Sequence, residues 1–129
     1  MSFSRSTGIA CLLCFAAGAG TAVWAQQKVQ STSRREPQFE NAHMSVWKSI
    51  IMPKQPLTLH RHDHGRALVA LTDGRLKVVD KDGKLLNTYE LKAGRAIWLG
   101  VDPPGQLHAD VNDGRAPVEV IVVQLKNDK

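Results

Sequence analysis

"PPGQLHADVN", residues 103–112, sets a turn, a strand and a candidate ligand within ten residues. Pro103 and Gly105 fix a tight turn, because proline pre-sets its own φ and glycine tolerates a positive one. That turn sets the register of the strand behind it, in which His108 faces inward. Asn112 stands at the strand's end, where its side chain can hold the next turn by bonding to backbone. A single inward histidine is ordinary; it gains meaning only where other ligands meet it.

Those ligands are offered by "LTLHRHDHGR", residues 57–66. "PLTLHRH" (56–62) is expected to be a strand after the turn marked by Pro53 and Pro56. Side chains at i and i+2 of a strand share a face, so His60 and His62 can converge on one ion, and imidazole suits zinc, copper, iron or nickel. His64 continues the alternation only if the strand does, and Gly65 turns the chain, which places His64 at the rim. Asp63 has the opposite parity and faces outward. His43, near the start of the first strand, reads as a surface or satisfied core residue.

Outward from these two stretches the chain reads as short strands divided by turns. "HMSVWKSII" (43–51), "ALVAL" (67–71), "RLKVV" (75–79), "LLNTYEL" (85–91), "RAIWL" (95–99), "QLHADV" (106–111) and "VEVIVVQL" (118–125) join 56–62 to make about eight, at roughly ten-residue spacing. "KDGK" (81–84) is a hairpin signal expected to form a type I′ turn. No window holds a helical period. The expected class is all-β, an antiparallel sandwich or barrel.

The two histidine stretches together resemble the cupins, specifically small single-domain cupins. The family's first motif is G-x5-H-x-H-x3/4-E-x6-G and its second G-x5-P-x-G-x2-H-x3-N. His60, His62 and Gly74 match the first; Pro103, Gly105, His108 and Asn112 match the second without a gap. The resemblance implies an antiparallel jelly-roll barrel with a metal in its mouth, here held by His60, His62 and His108. It also implies a homodimer paired through outer strands as a candidate assembly. The motif glutamate is absent: its position falls on Arg66 or Ala67. The leading glycines of both motifs are also missing.

Arg66 bears on whether a metal binds. A divalent ion about 5 Å from a guanidinium, at an effective dielectric of about 20, is repelled by roughly 6–7 kcal/mol. Arg66 therefore points away from the ion, or grips an anion that bridges to it, or belongs to a metal-free cationic pocket. Asp110 shares the face of His108 if the strand is regular, so it can replace the glutamate or pair with Arg66. Trp47, Trp98 and Tyr89 are expected at the core or rim, with Trp98 a candidate pocket wall.

The chain's beginning has a different character. Met1–Thr7 carries Arg5 as its only charge, "GIACLLCFAAGAGTAV" is apolar, and Val23 and Ala25 flank Trp24. This order predicts a signal peptide over 1–25, cleaved after Ala25, and export to a periplasm with no membrane attachment afterwards. Both cysteines, Cys11 and Cys14, would leave with it, so any metal must be held by His, Asp or Glu. "QQKVQSTSRREPQ" (26–38) is expected to be a disordered linker before a cupin domain over 39–126.

Net charge is +5 at pH 7, and removal of Arg5 lowers it by one. No basic stripe interleaved with aromatics is present, which argues against a nucleic-acid partner. Nucleophile motifs and glycine-rich phosphate loops are absent. Two functions are expected. The first is a small metalloenzyme carrying iron, zinc, manganese, copper or nickel and acting on a small oxygen-bearing molecule, in a dioxygenase-like way. Its proton-transfer candidates are His64 and Asp110, and its substrate contacts Arg66 and Trp98. The second is a metal-free, non-catalytic module that captures a small anionic ligand.

Overall fold

The computed structural model describes residues 32–128. Eight strands fill them: β1 Arg34–Glu40, β2 Met44–Ile51, β3 Arg66–Ala70, β4 Gly74–Asp80, β5 Leu85–Leu91, β6 Ala96–Leu99, β7 His108–Val111 and β8 Val118–Leu125. They form a five-stranded sheet in the order β1-β2-β8-β3-β6 and a three-stranded sheet in the order β5-β4-β7. Every ladder is antiparallel.

Alternation decides which side chains enter the space between the sheets. Arg66, Leu68 and Ala70 of β3 are buried, while Ala67 and Val69 between them are less so. Val118, Val120 and Val122 of β8 are buried on the same rule. With Ile51, Leu57, Leu76 and Leu91 they make the core, against which Trp47, Tyr89, Ile97 and Leu99 pack. Each fully buried aliphatic side chain contributes about 1.5–3 kcal/mol.

The number of strands agrees with expectation, but one is exchanged for another. Arg34 to Gln38, expected in the linker, belong to β1, which pairs with β2 from Arg34↔Ile50 to Glu40↔Ser45. β1 is an edge strand. One such strand can be almost wholly polar and can hold Pro37, because part of it faces water. Residues 56–62 form no regular strand. They run extended beside β7, fastened at intervals by Leu57 N–H to Asp110 O (3.0 Å) and by a bridge between His60 and His108. The expected leader lies outside the described residues.

Two turns carry the logic of their glycines. Gln106 N–H donates to Pro103 O at 3.1 Å, and Gly105 at the third position has φ 72°. That is a type II turn with Pro104 at its second position. At the β4–β5 hairpin Gly83 N–H donates to Asp80 O, and only Gly83 has positive φ, at 80°. A type I′ turn needs two such residues. The hairpin is therefore a type I turn closed by a glycine bulge, and the ladder shifts register between Val78 and Val79.

Candidate metal centre

Three backbone links bring the histidines together. His60 and His108 exchange both main-chain hydrogen bonds, at 2.9 and 2.7 Å. Asp102 N–H donates to His62 O at 3.0 Å, and His62 N–H donates to the Asp102 carboxylate at 2.6 Å. The loop over 57–64 is thus strapped to β7 and to the segment before the Pro103 turn. Ring centroids of His60 and His108 lie 4.4 Å apart, those of His60 and His62 5.0 Å, and those of His62 and His108 5.6 Å. One ring nitrogen from each lies within 4.8 Å of the others. The three histidines picked out by the sequence stand close enough to hold one metal ion.

The rings are also prepared electronically. His60 Nδ1 donates to Thr58 O at 2.7 Å, and His62 Nδ1 faces the Gln124 side-chain oxygen at 2.6 Å. His108 Nδ1 lies 3.3 Å from the Asp102 carboxylate. An oxygen acceptor at Nδ1 fixes the tautomer and leaves Nε2 as a lone-pair donor. His60 Nε2 is buried and has no hydrogen-bond partner. Burial holds the His60 pKa below its ordinary value, with Arg35 and His108 adding to the effect. His62 is pushed down to about 3, first by burial and then by the charge of Arg66. Both rings are neutral at pH 7, the state in which imidazole ligates. Nitrogens sharing an ion at about 2.1 Å stand about 3–3.5 Å apart, so side-chain shifts of roughly an ångström would bring the three to ligating distance.

Arg66 enters the interior and is buried. Its guanidinium donates to Gly100 O at 2.9 Å and to the Asp102 carboxylate at 3.3 Å. Asp102 thereby holds Arg66, the His62 backbone and His108 at once, and its negative charge answers the guanidinium. Asp110 projects from β7 on the face of His108, with an oxygen 3.7 Å from His60 Nε2. The cluster that closes within 4.8 Å comprises the three histidines and not Asp110.

Two side chains proposed for the site stand elsewhere. Trp98 is 60% exposed and covers Gly65 from outside, because Ile97 and Leu99 take the inward positions of β6. It does not line the cavity. His64 Nδ1 pairs with Asp128 at 2.6 Å, and that carboxylate also takes the Gly65 N–H. His64 is held by this pair and does not line the cavity either. Asp63 is exposed beside Arg61.

The cavity measures about 240 Å³. Leu68, Leu76, Val120 and Val122 wall it, His62 and His108 reach into it, and its charged lining is Arg35, Arg66, Asp102 and Asp110. Asp102, Gln124 and Arg35 were not singled out from sequence. Gln124 continues the inward parity of Val118, Val120 and Val122, which is a signal that could have found it. Asp102 carried none, since it lies in no strand and so has no alternation to read.

No protein-family model matches the chain, and no curated protein does. Solved structures do. A cupin domain from Bordetella pertussis superimposes with a TM-score of 0.62 at 20% identity, covering 74% of this chain and 94% of that one. A protein with a double-stranded β-helix domain from Klebsiella pneumoniae gives 0.56 at 21% identity, covering 77% and 81%. An RmlC-like cupin family protein from Methanocaldococcus jannaschii gives 0.56 at 13%, covering 77% and 84%. With two antiparallel sheets closed around three inward histidines, the chain has the cupin fold, the double-stranded β-helix of the RmlC-like proteins.

Proposed function

We propose that His60, His62 and His108 hold one divalent transition metal ion (iron, zinc, manganese, copper or nickel) and that the protein, exported to the periplasm, uses it on a small oxygen-bearing molecule. A dioxygenase-like reaction is the specific form of this reading. The observation that carries it is the convergence of one nitrogen from each of three rings within 4.8 Å, with the Nδ1 of each ring set against an oxygen. When bound, the ion would supply Lewis acidity and, if it is iron, electron exchange with dioxygen. Three neutral ligands leave it its full charge and open positions.

The chain's own residues supply the rest. Asp110, near His60 Nε2, is placed to take a proton from a ligand or a water at the centre. His64 is not, since its Nδ1 is tied to Asp128 and it does not line the cavity. Asp102 and Gln124 keep His108 and His62 aimed. The leader-like residues 1–25 support export.

The test is elemental analysis of the exported, untagged protein, followed by oxygen uptake with Fe(II) across small diketones, thiols and phenols. About one metal per chain, lost in His60→Ala, is expected. Less than a tenth of an equivalent in the wild type rejects the centre, and uptake that survives His108→Ala rejects the reaction. Two guanidinium groups on the cavity favour a second reading, a metal-free module for a small anion. A ligand that raises the melting temperature equally with and without chelator would support it.

A further inference from the structure

Arg66 is the obvious candidate for gripping an anion, but each of its terminal nitrogens already donates, one to Gly100 O and one to Asp102. Arg35 is the guanidinium left over. It lies opposite Ser49 in the β1–β2 ladder, and paired residues share a face. Ser49 is buried on the cavity side of β2, together with Trp47 and Ile51. The ladder thus turns Arg35 inward at the mouth, where it is still exposed.

Its position is fixed by an aromatic stack. The Arg35 guanidinium carbon sits 5.2 Å from the centre of the Trp47 ring. Trp47 is held in turn by its indole N–H on Ser49 Oγ (3.2 Å) and lies parallel to the His62 ring, 6.0 Å away. Among the described residues, no hydrogen bond or ion pair engages the Arg35 guanidinium. It is a planar fork of donors, mounted on a ligand-bearing stack and facing a cavity, with nothing in its grip.

Charge points the same way. The two arginines and the two aspartates on the cavity cancel. A bound divalent ion would leave the centre with an uncompensated double positive charge, which an anionic ligand relieves. At about 240 Å³ the cavity lies below the usual range for drug-sized ligands, so that ligand is small.

We infer that Arg35 is the specificity-determining anchor for a small carboxylate, which it grips through both oxygens at the cavity mouth while the far end of the molecule reaches the three-histidine centre. A planar fork of N–H donors matches a carboxylate in two parallel bonds. This rests on the metal-centre reading above for the far end, but not for the grip.

The experiment is calorimetric titration of the metal-loaded and the EDTA-treated protein with pyruvate and with its neutral amide, pyruvamide. In the metal-loaded wild type pyruvate is expected to bind at least about tenfold more tightly than the amide. Arg35→Gln abolishes that preference with metal content unchanged. Arg35→Lys keeps the charge but loses the fork, and restores only part of it. Arg34→Gln removes the same charge from the neighbouring position, whose side chain pairs with Glu36, and leaves the preference intact. Equal binding of acid and amide by the wild type, no binding of pyruvate, or a preference that persists in Arg35→Gln each overturns the inference. A preference that survives EDTA and disappears in Arg35→Gln sustains the anchor; pyruvate affinity that is also unchanged by EDTA removes the far-end contact with the metal.

Discussion

His60 and His108 are bridged through their backbones, N–H to O in both directions at 2.9 and 2.7 Å, and their rings lie 4.4 Å apart. The main chain, not the side chains, holds the centre's two halves together. His108→Ala should therefore leave the fold in place while metal content falls from about one equivalent to less than a tenth. Far-ultraviolet circular dichroism and elemental analysis of the same sample check this. Full metal retention would mean that the ion binds elsewhere.

Asp102 is expected to be the costliest polar residue of the mouth. Its removal leaves the Arg66 guanidinium, whose side chain is only 8% exposed, without a counter-charge, and also strips the His62 N–H of its acceptor. Breaking one partner of a buried pair costs about 3–5 kcal/mol. Urea unfolding of Asp102→Ala should lose about 3 kcal/mol. Adding Arg66→Met to that variant should recover part of the loss, because the stranded charge disappears with it. No recovery would show that the carboxylate acts mainly through the His62 backbone.

Much of this was legible in the residues, and the exceptions have physical causes. Turn chemistry and alternation located seven of the eight strands, because each has a buried face and a glycine, proline or aspartate at its end. β1 was invisible: an edge strand with one large apolar residue, Phe39, has no period to read. Residues 56–62 had the pattern of a strand, but their hydrogen bonds to β7 are spaced irregularly, so the alternation survives without a ladder. The three metal-ligand candidates were readable because each has a local pattern. Asp102 and Arg35 were not, since their roles arise from contacts with residues distant in sequence. Trp98 was placed by nearness to a turn, when the parity of β6 would have turned it outward.

The depressed histidines make the metal-free protein acid-sensitive. Burial holds His60 and His62 below the ordinary value near 6.5, with His62 down at about 3. Below pH 6.5 the unfolded chain takes up protons at these rings and the folded chain resists them. Their contribution to stability is thus complete above about pH 6.5 and declines as pH falls, for His62 by up to about 1.4 kcal/mol per pH unit down toward pH 3. Urea midpoints in EDTA should drop between pH 6.5 and 5, before most carboxylates titrate. His62→Gln should flatten that slope. A midpoint unchanged over this range would contradict the neutral, buried assignment.

Gly74, the glycine that the first motif shares with this chain, has a packing reason to be there. A methyl group at that position would lie 2.8 Å from a Val118 methyl, and Val118 is only 2% exposed in the core. The neighbour cannot swing away into solvent, so Gly74→Ala should cost about 1–3 kcal/mol by overpacking. Val118→Ala alone is destabilising for the opposite reason, the void it leaves. In the double variant the new methyl partly fills that void. The two losses should then fall short of additivity by about 1 kcal/mol or more in urea unfolding. Strictly additive losses would move the cause away from this contact, to the backbone of β4 itself.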